Sequence, residues 1–285
     1  MPPVWLDELI RRALEEDLGT GDRTSQAAVP AGARARARLV AKAAGRVAGL
    51  AVFTRVFELC DPDVRIELRS HDGASCEPGS ELAVFEGNAR ALLAAERTAL
   101  NLMQRMSGIA TQTARFVALC EGRARVLDTR KTTPTLRHLE KFSVTCGGGE
   151  NHRFGLFDEV MIKENHIELA GRPLAEVLKD VRSEVGAMRI TCEARDAEEA
   201  RVATAGGADV VLLDNMSCAE MKALVPELRE LAEKRGSAVE LEASGGIDET
   251  TIADVSQTGV DRISVGGLTH SAPALDLSLY LEPLQ

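Results

Sequence analysis

Val4, Leu6, Leu9, Ile10 and Leu14 fall on one helical face and predict an amphipathic helix that runs into the polar loop EEDLGTGDRTS. Short apolar segments around Arg38 to Leu50 and Val64 to Leu68, set off by turn residues at Asp61-Pro62 and Glu77-Pro78-Gly79, predict a small sheet. From Asn88 to about Cys120 the pattern is helical again, with Ala95, Ala99, Leu102 and Met106 in register and an interruption expected at Ser107-Gly108. This first part is expected to be an α+β unit.

After Gly122 the rhythm changes to short apolar strands, each followed by a helical stretch, which is the sequence form of a parallel sheet built from βα units. The predicted strands are Arg125 to Thr129, Glu159 to Lys163, Arg189 to Glu193, Val210 to Asp214, Val239 to Ala243 and Arg262 to Val265. Leu174, Val177, Leu178 and Val181 mark one intervening helix, and Met221, Leu224, Val225, Leu228 and Leu231 another. Nearly every strand ends in polar chemistry: Arg130 and Lys131, Lys163 and Glu164, Glu193, Asp214 and Asn215, Glu242 and Ser244, Gly266 and Gly267. Six strand ends converge only if the strands form a ring, so a barrel with its active site at the C-terminal mouth is favoured over an open doubly wound sheet. A full eight-unit barrel usually takes roughly 250 residues, so this one is expected to be incomplete.

Composition narrows the partners. The chain has 285 residues, 34 Lys plus Arg against 44 Asp plus Glu, and a formal charge of −10, which argues against nucleic acid. No apolar run approaches the length of a membrane span, and MPPVWLDELIRR carries acids where a signal peptide would be apolar. Six cysteines without a Cys-x-x-Cys pair fit a reducing compartment, and a cytoplasmic location is expected.

Three constellations carry chemistry. Ser244-Gly245-Gly246 and Gly266-Gly267 end adjacent late strands, where a barrel commonly holds a phosphate on backbone N–H groups. Either loop alone reads equally well as a tight turn; the two together favour phosphate. Arg130, Lys131, His152, Arg153 and Lys163 form a positive set in an acidic protein, which points to a strongly anionic small substrate. Glu193 and Asp214 end successive strands, where they could share Mg²⁺ or a pair of sugar hydroxyls, or simply pair with the lysines. His166 and His270 belong to no ligand-spaced cluster and read as structural.

The segments DTRKTTP, LEKFSVTCGGGENHRFGLFDEVMIKENHI, VVLLDNMS, VELEASGGI and RISVGGLTHSAPALD, with GDRTS and AERTALNLMQRMSGIAT upstream, closely resemble the quinolinate phosphoribosyltransferase family. The resemblance implies an α/β fold: an N-terminal open-sandwich α+β domain over residues 1–110, followed by an incomplete α/β barrel over 111–271. The segment 272–285 is then expected to pack back on the first domain. It implies transfer of phosphoribose from phosphoribosyl pyrophosphate to quinolinate with loss of CO₂, Mg²⁺ as cofactor, and a homodimer whose subunits share active sites. Carried over by motif, Arg97, Arg130, His152, Arg153 and Lys163 would bind quinolinate, with Arg97 donated by the partner subunit. Lys131, Glu193, Asp214, Ser244, Gly245, Gly246, Gly266 and Gly267 would bind the phosphoribosyl donor. The catalytic set would be Lys131, Lys163, Glu193 and Asp214, and the two acids would hold Mg²⁺, directly or through water.

The sequence departs from the family pattern in three places. Thr191-Cys192-Glu193-Ala194-Arg195 keeps only the middle acid of an alternating set, Thr135 replaces a usual glycine, and Glu164 replaces a common aspartate. The last two exchanges are expected to be conservative. The competing possibilities are a pyrophosphorylase with a different acceptor, a Schiff-base aldolase barrel using Lys163, and a non-catalytic phosphate-binding barrel.

Overall fold

The computed structural model describes residues 3–284, in two compact units: residues up to 112 with 145–148 and from 272 onward, and residues 113–144 with 149–271. In the first unit, α1 (Val4–Leu18) and α2 (Arg23–Ala28) precede β1 (Arg34–Ala41) and the two-residue β2 (Gly45–Arg46). Then come α3 (Leu50–Cys60), β3 (Arg65–Leu68), β4 (Ser75–Cys76), β5 (Glu81–Asn88) and the long helix α4 (Ala89–Cys120). Leu6, Ile10 and Leu14 bury one stripe of α1, whereas Val4 stays 77% exposed. The C-terminal strand Leu277–Pro283, β12 in chain order, lies antiparallel to β1 and completes a four-stranded sheet of order β12-β1-β5-β3.

Two local expectations fail here. Leu50, placed at the end of a strand segment, instead opens α3, whose buried face is Leu50, Val52, Phe53, Val56 and Phe57. Asp72 starts this helix by accepting the backbone N–H groups of Gly49 and Leu50 at 2.8 and 2.9 Å, a partner 22 or 23 residues away that no local pattern discloses. Stacking of Phe57 on Phe85 of β5, with centroids 4.6 Å apart, then seats α3 on the sheet. The second failure is the interruption at Ser107-Gly108, because α4 runs straight through it. Ser107 instead bridges the backbone of Ala48, accepting its N–H and donating to its carbonyl, each at 3.0 Å. Gly108 lets the chain at Pro273 pass; a Cβ there would stand 2.0 Å from the Pro273 oxygen.

The second unit takes in the end of α4 from residue 113, most of α5 (Arg137–Cys146), and α6 (Glu164–Ala170), α7 (Leu174–Val185), α8 (Ala197–Ala205), α9 (Cys218–Lys234), α10 (Ile252–Ser256) and α11 (Gly267–His270). Its strands are β6 (Arg125–Leu127), β7 (Val160–Ile162), β8 (Ile190–Ala194), β9 (Val210–Asp214), β10 (Glu240–Ser244) and β11 (Arg262–Ser264). All six expected strands are present, and they form one parallel sheet of order β6-β11-β10-β9-β8-β7. First strand beside last is ring order, so the sheet is a barrel left open between β6 and β7. Extended backbone at Glu150 pairs in parallel with Leu127 and occupies part of that seam. Among the described residues no helix is long and apolar enough to cross a membrane.

Gly108→Ala is expected to lower stability by about 2–3 kcal/mol, because the methyl group must displace backbone rather than a side chain. Urea unfolding measures this, and an unchanged midpoint would refute the close approach.

Candidate active site

Pairing register decides which side chains share the barrel interior. Glu240, Glu242 and Ser244 oppose Val210, Leu212 and Asp214, while Glu193 opposes Leu212. Opposed residues point the same way and alternate residues share a face, so Glu193, Asp214, Ser244, Glu242 and Glu240 all lie on one face of the sheet. On the other side of β10, Glu242 opposes Arg262 and Ser244 opposes Ser264, which extends that face to β11.

At the mouth, Lys163 ends β7 and forms an ion pair with Glu193 of β8. Its side chain remains 44% exposed and that of Glu193 only 15%, so the lysine faces the open end. Asp214 accepts a hydrogen bond at 2.8 Å from the Asn215 amide. Asn215 has a positive φ of 55°, and its carboxamide lies across Gly245, where a Cβ would stand 2.2 Å from Asn215 Oδ1. Asp214 is thereby connected to the Ser244-Gly245-Gly246 loop. At the neighbouring loop the side chain of Lys131 passes Gly266, whose Cβ would stand 2.9 Å from Lys131 Cδ, and Thr269 donates to the Lys131 carbonyl at 2.9 Å. Lys131 and the second glycine pair therefore form one surface.

His166 accepts the Lys163 N–H at 2.9 Å through Nδ1 and caps α6, a structural role as expected. His270 is exposed, with Nδ1 2.6 Å from Ser271 Oγ, and its Nε2 would lie 3.3 Å from a Cβ on Gly266, so it borders the glycine loop.

Arg130 and Arg153 repel each other. Burial, and then the Arg130 charge beside it, hold the Arg153 guanidinium below its ordinary value. Arg153 donates to the Glu159 carbonyl at 3.1 Å, which fixes its position. Two neighbouring guanidinium groups in a chain of net charge −10 make a site suited to an anion. Arg97 is exposed on α4 in the first unit.

Next to the strand ends lies a buried network whose members Asp128, Lys141 and Asn151 the strand-end pattern did not single out. Asp128, wholly buried, accepts from the backbone N–H of His152 at 2.9 Å and pairs with buried Lys141, whose ammonium also donates to the His152 carbonyl at 2.9 Å. Asn151 donates to the other Asp128 oxygen at 2.6 Å. Burial pushes the Asp128 carboxyl up to about 6, although Lys141 and His152 oppose the shift, and burial likewise lowers Lys141. Three further side chains converge from below: Arg262 donates to Glu242 at 2.6 Å, and His152 Nε2 lies 3.4 Å from the same carboxylate oxygen.

The chain matches the family model for the quinolinate phosphoribosyl transferase N-terminal domain over residues 22–107 and that for the C-terminal domain over 109–280. The chain belongs to the quinolinate phosphoribosyltransferase family. Among relatives of this family, a probable nicotinate-nucleotide pyrophosphorylase [carboxylating] of Bacillus subtilis (strain 168) is 43% identical over 282 residues, covering 98% of this chain and 94% of that protein. The chloroplastic nicotinate-nucleotide pyrophosphorylase [carboxylating] of Arabidopsis thaliana is 40% identical, covering 99% and 84%. The crystal structure of NadC from Streptococcus pyogenes superposes with a TM-score of 0.93 at 38% identity, covering 100% of this chain and 99% of that one.

The departures from the family pattern acquire structure as well. Arg195 pairs with Glu164 and with Glu199, so two of the exchanged positions meet each other, and Thr191 donates to Glu159 at 2.5 Å. The exchange at Thr135 is not conservative, because its φ is 71°, in the left-handed region that suits glycine.

Thr135→Gly is therefore expected to raise stability by about 0.5–1 kcal/mol, the relief of the left-handed backbone exceeding the added freedom of the unfolded chain. A loss of stability in thermal unfolding would contradict this. Asp128 gives a pH signature. Its folded value of about 6 lies above the ordinary 3.8, so between them the folded protein holds a proton that the unfolded chain has released. The contribution of this group to stability accordingly falls as pH rises through that window and is lowest above it. Relative to Asp128→Asn, the wild type should lose stability as pH is raised from about 4 to 7; a constant difference would count against the shift.

Proposed function

We propose that the chain transfers phosphoribose from phosphoribosyl pyrophosphate to quinolinate with loss of CO₂, giving nicotinate mononucleotide and pyrophosphate for NAD biosynthesis. The observation that carries this is that the charge of Arg130 acts on the half-buried Arg153, in a barrel unit where Lys163 follows a strand end. Quinolinate is a pyridine with two adjacent carboxylates, and planar guanidinium forks with a lysine suit such a dianion. Family membership and the names of the relatives support the same reaction.

Each residue then has a task. Arg130, Arg153 and Lys163 hold the carboxylates, with His152 in the same shell and Arg97 supplied by a second copy of the chain in a cytoplasmic homodimer. Gly245, Gly246, Gly266 and Gly267, with Ser244, receive the 5′-phosphate on their backbone, and His270 lies within reach of it. Lys131 meets the pyrophosphate, where negative charge grows as the bond to ribose C1 breaks. Glu193 and Asp214 face the ribose and favour the positive character that C1 acquires. The ring nitrogen of quinolinate bonds to C1 as the bond from C1 to pyrophosphate breaks; the resulting pyridinium stabilises the electron pair left on C2 when its carboxylate leaves as CO₂, and C2 then takes a proton from solvent.

The donor set also fits Mg²⁺. Two carboxylates share one face at the mouth, and among the described residues no cluster of three or more His, Cys, Asp or Glu forms a cage. This suits an ion that keeps most of its own waters and binds substrate oxygens. Glu193 and Asp214 would hold it, directly or through water, and it would supply charge neutralisation at the leaving pyrophosphate. A Schiff-base role is disfavoured because Lys163 is engaged with Glu193, whereas imine formation needs a free amine lone pair.

Purified protein given quinolinate, phosphoribosyl pyrophosphate and Mg²⁺ is expected to release nicotinate mononucleotide and CO₂ in equal amounts. Activity should vanish without Mg²⁺ and fall roughly a hundredfold in Lys131→Ala. Donor binding without either product would sink the reaction and leave a phosphate-binding barrel. Arg97→Ala and Lys163→Ala proteins, each inactive, should recover activity on subunit exchange; no recovery despite proven exchange would exclude a shared site.

A further inference from the structure

Arg137 opens α5, where the free N–H groups of the helix end carry partial positive charge and a cation gains nothing from the helix. Its guanidinium donates instead to three oxygens outside the helix: Thr132 Oγ1 at 2.9 Å through Nε, the Phe154 carbonyl at 3.1 Å through Nη1 and, more loosely, the Arg130 carbonyl at 3.4 Å through Nη2. Arg130 and Thr132 belong to the loop that follows β6, and Phe154 comes directly after Arg153 in the segment that leads to β7. One planar, rigid fork therefore spans the two segments that carry these arginines.

Asp128 joins the same two segments on the other side of the arginines, where it accepts the His152 N–H at 2.9 Å. Along the chain Arg130 thus lies between Asp128 and Thr132, and Arg153 between His152 and Phe154, each bracketed by the two ties. The acceptors of the fork are themselves held. Glu140, buried on the next turn of α5, accepts the Thr133 N–H at 3.1 Å and its hydroxyl at 2.8 Å. Asp158 accepts the N–H groups of Phe154 and Gly155 at 2.6 and 2.8 Å, and the Phe154 ring packs against His138 with centroids 4.4 Å apart. Lys131 has separate anchors, its N–H donating to Thr129 Oγ1 at 3.0 Å and its carbonyl accepting from Thr269 at 2.9 Å. Loss of the fork would therefore release Arg130 and Arg153 from each other while Lys131 keeps its own hold.

We propose that Arg137 is a positioning residue: by bridging the loop after β6 to the Arg153 segment it sets the distance between Arg130 and Arg153, and with it the fit to two adjacent carboxylates. The proposal rests on the quinolinate reading above and deepens it, naming the residue that keeps the two arginines in register for the dianion. A ligand with two carboxylates meets both arginines at once, so its binding depends on their spacing, and a misplacement of about 1 Å can cost roughly a hundredfold. Lysine does not replace Arg137 in this task, because one ammonium on a flexible stem cannot reproduce a fork that reaches two segments.

The test is steady-state kinetics of the full-length protein with quinolinate, phosphoribosyl pyrophosphate and Mg²⁺. Arg137→Lys keeps the charge and should raise KM for quinolinate roughly ten- to a hundredfold, with KM for phosphoribosyl pyrophosphate within about threefold of wild type. Wild-type kinetics in this variant would show that charge alone suffices, and equal rises in both KM values would show a general loosening; either overturns the proposal. In an Arg153→Lys background the same exchange should lower kcat/KM for quinolinate by less than about threefold more, because the residue it acts through is already altered. Full multiplication of the two losses would show Arg137 acting on the ligand independently of Arg153, and would overturn the proposal as well. Should Arg137→Lys fail to fold, Thr132→Val decides, since it removes one acceptor of the fork and keeps the side-chain shape. A rise of about two- to fivefold confined to KM for quinolinate is expected there, and an unchanged value refutes the fork. Absence of wild-type turnover would instead defeat the quinolinate reading itself, so the two failures remain distinguishable.

Discussion

In a ring of parallel strands every second side chain must point into the barrel, and this chain fills those positions with charge. Glu240 and Glu242 on β10 and Arg262 on β11 occupy inward positions where an ordinary barrel places branched aliphatics. Such groups are tolerated only when each is paired, since an unmatched charge in the interior costs several kcal/mol. The paired network lies on the sheet face that also carries Glu193 and Asp214.

The mouth works through geometry that two loops share. Asn215 packs across Gly245, which ties the acid that ends β9 to the loop that ends β10, while the Lys131 side chain passes Gly266. A donor molecule bridging phosphate, ribose and pyrophosphate would meet groups set in advance, which is where proximity and electrostatic catalysis gain most.

Much of this was legible in the sequence. The strands of the barrel are buried apolar runs bounded by turn residues, and their polar ends mark the mouth, so Lys163, Glu193 and Asp214 could be named from position alone. The buried pair of Asp128 and Lys141 could not, because Lys141 looks in sequence like any solvated charge. Only the alternation Glu240, Glu242, Ser244 within one strand hints that the barrel interior is polar. Long-range partners hid the rest: Asp72 starts α3 from a distant loop, Pro273 explains Gly108, and the left-handed backbone of Thr135 leaves no trace in residue type.

The central claim is that the paired guanidinium groups make this a site for a dicarboxylate. Measuring kcat/KM for quinolinate against nicotinate, which lacks the second carboxylate, tests it directly. A preference for quinolinate of at least about a thousandfold is expected, because nicotinate would leave charged donors unpaired. Comparable specificity constants for the two acids would contradict it.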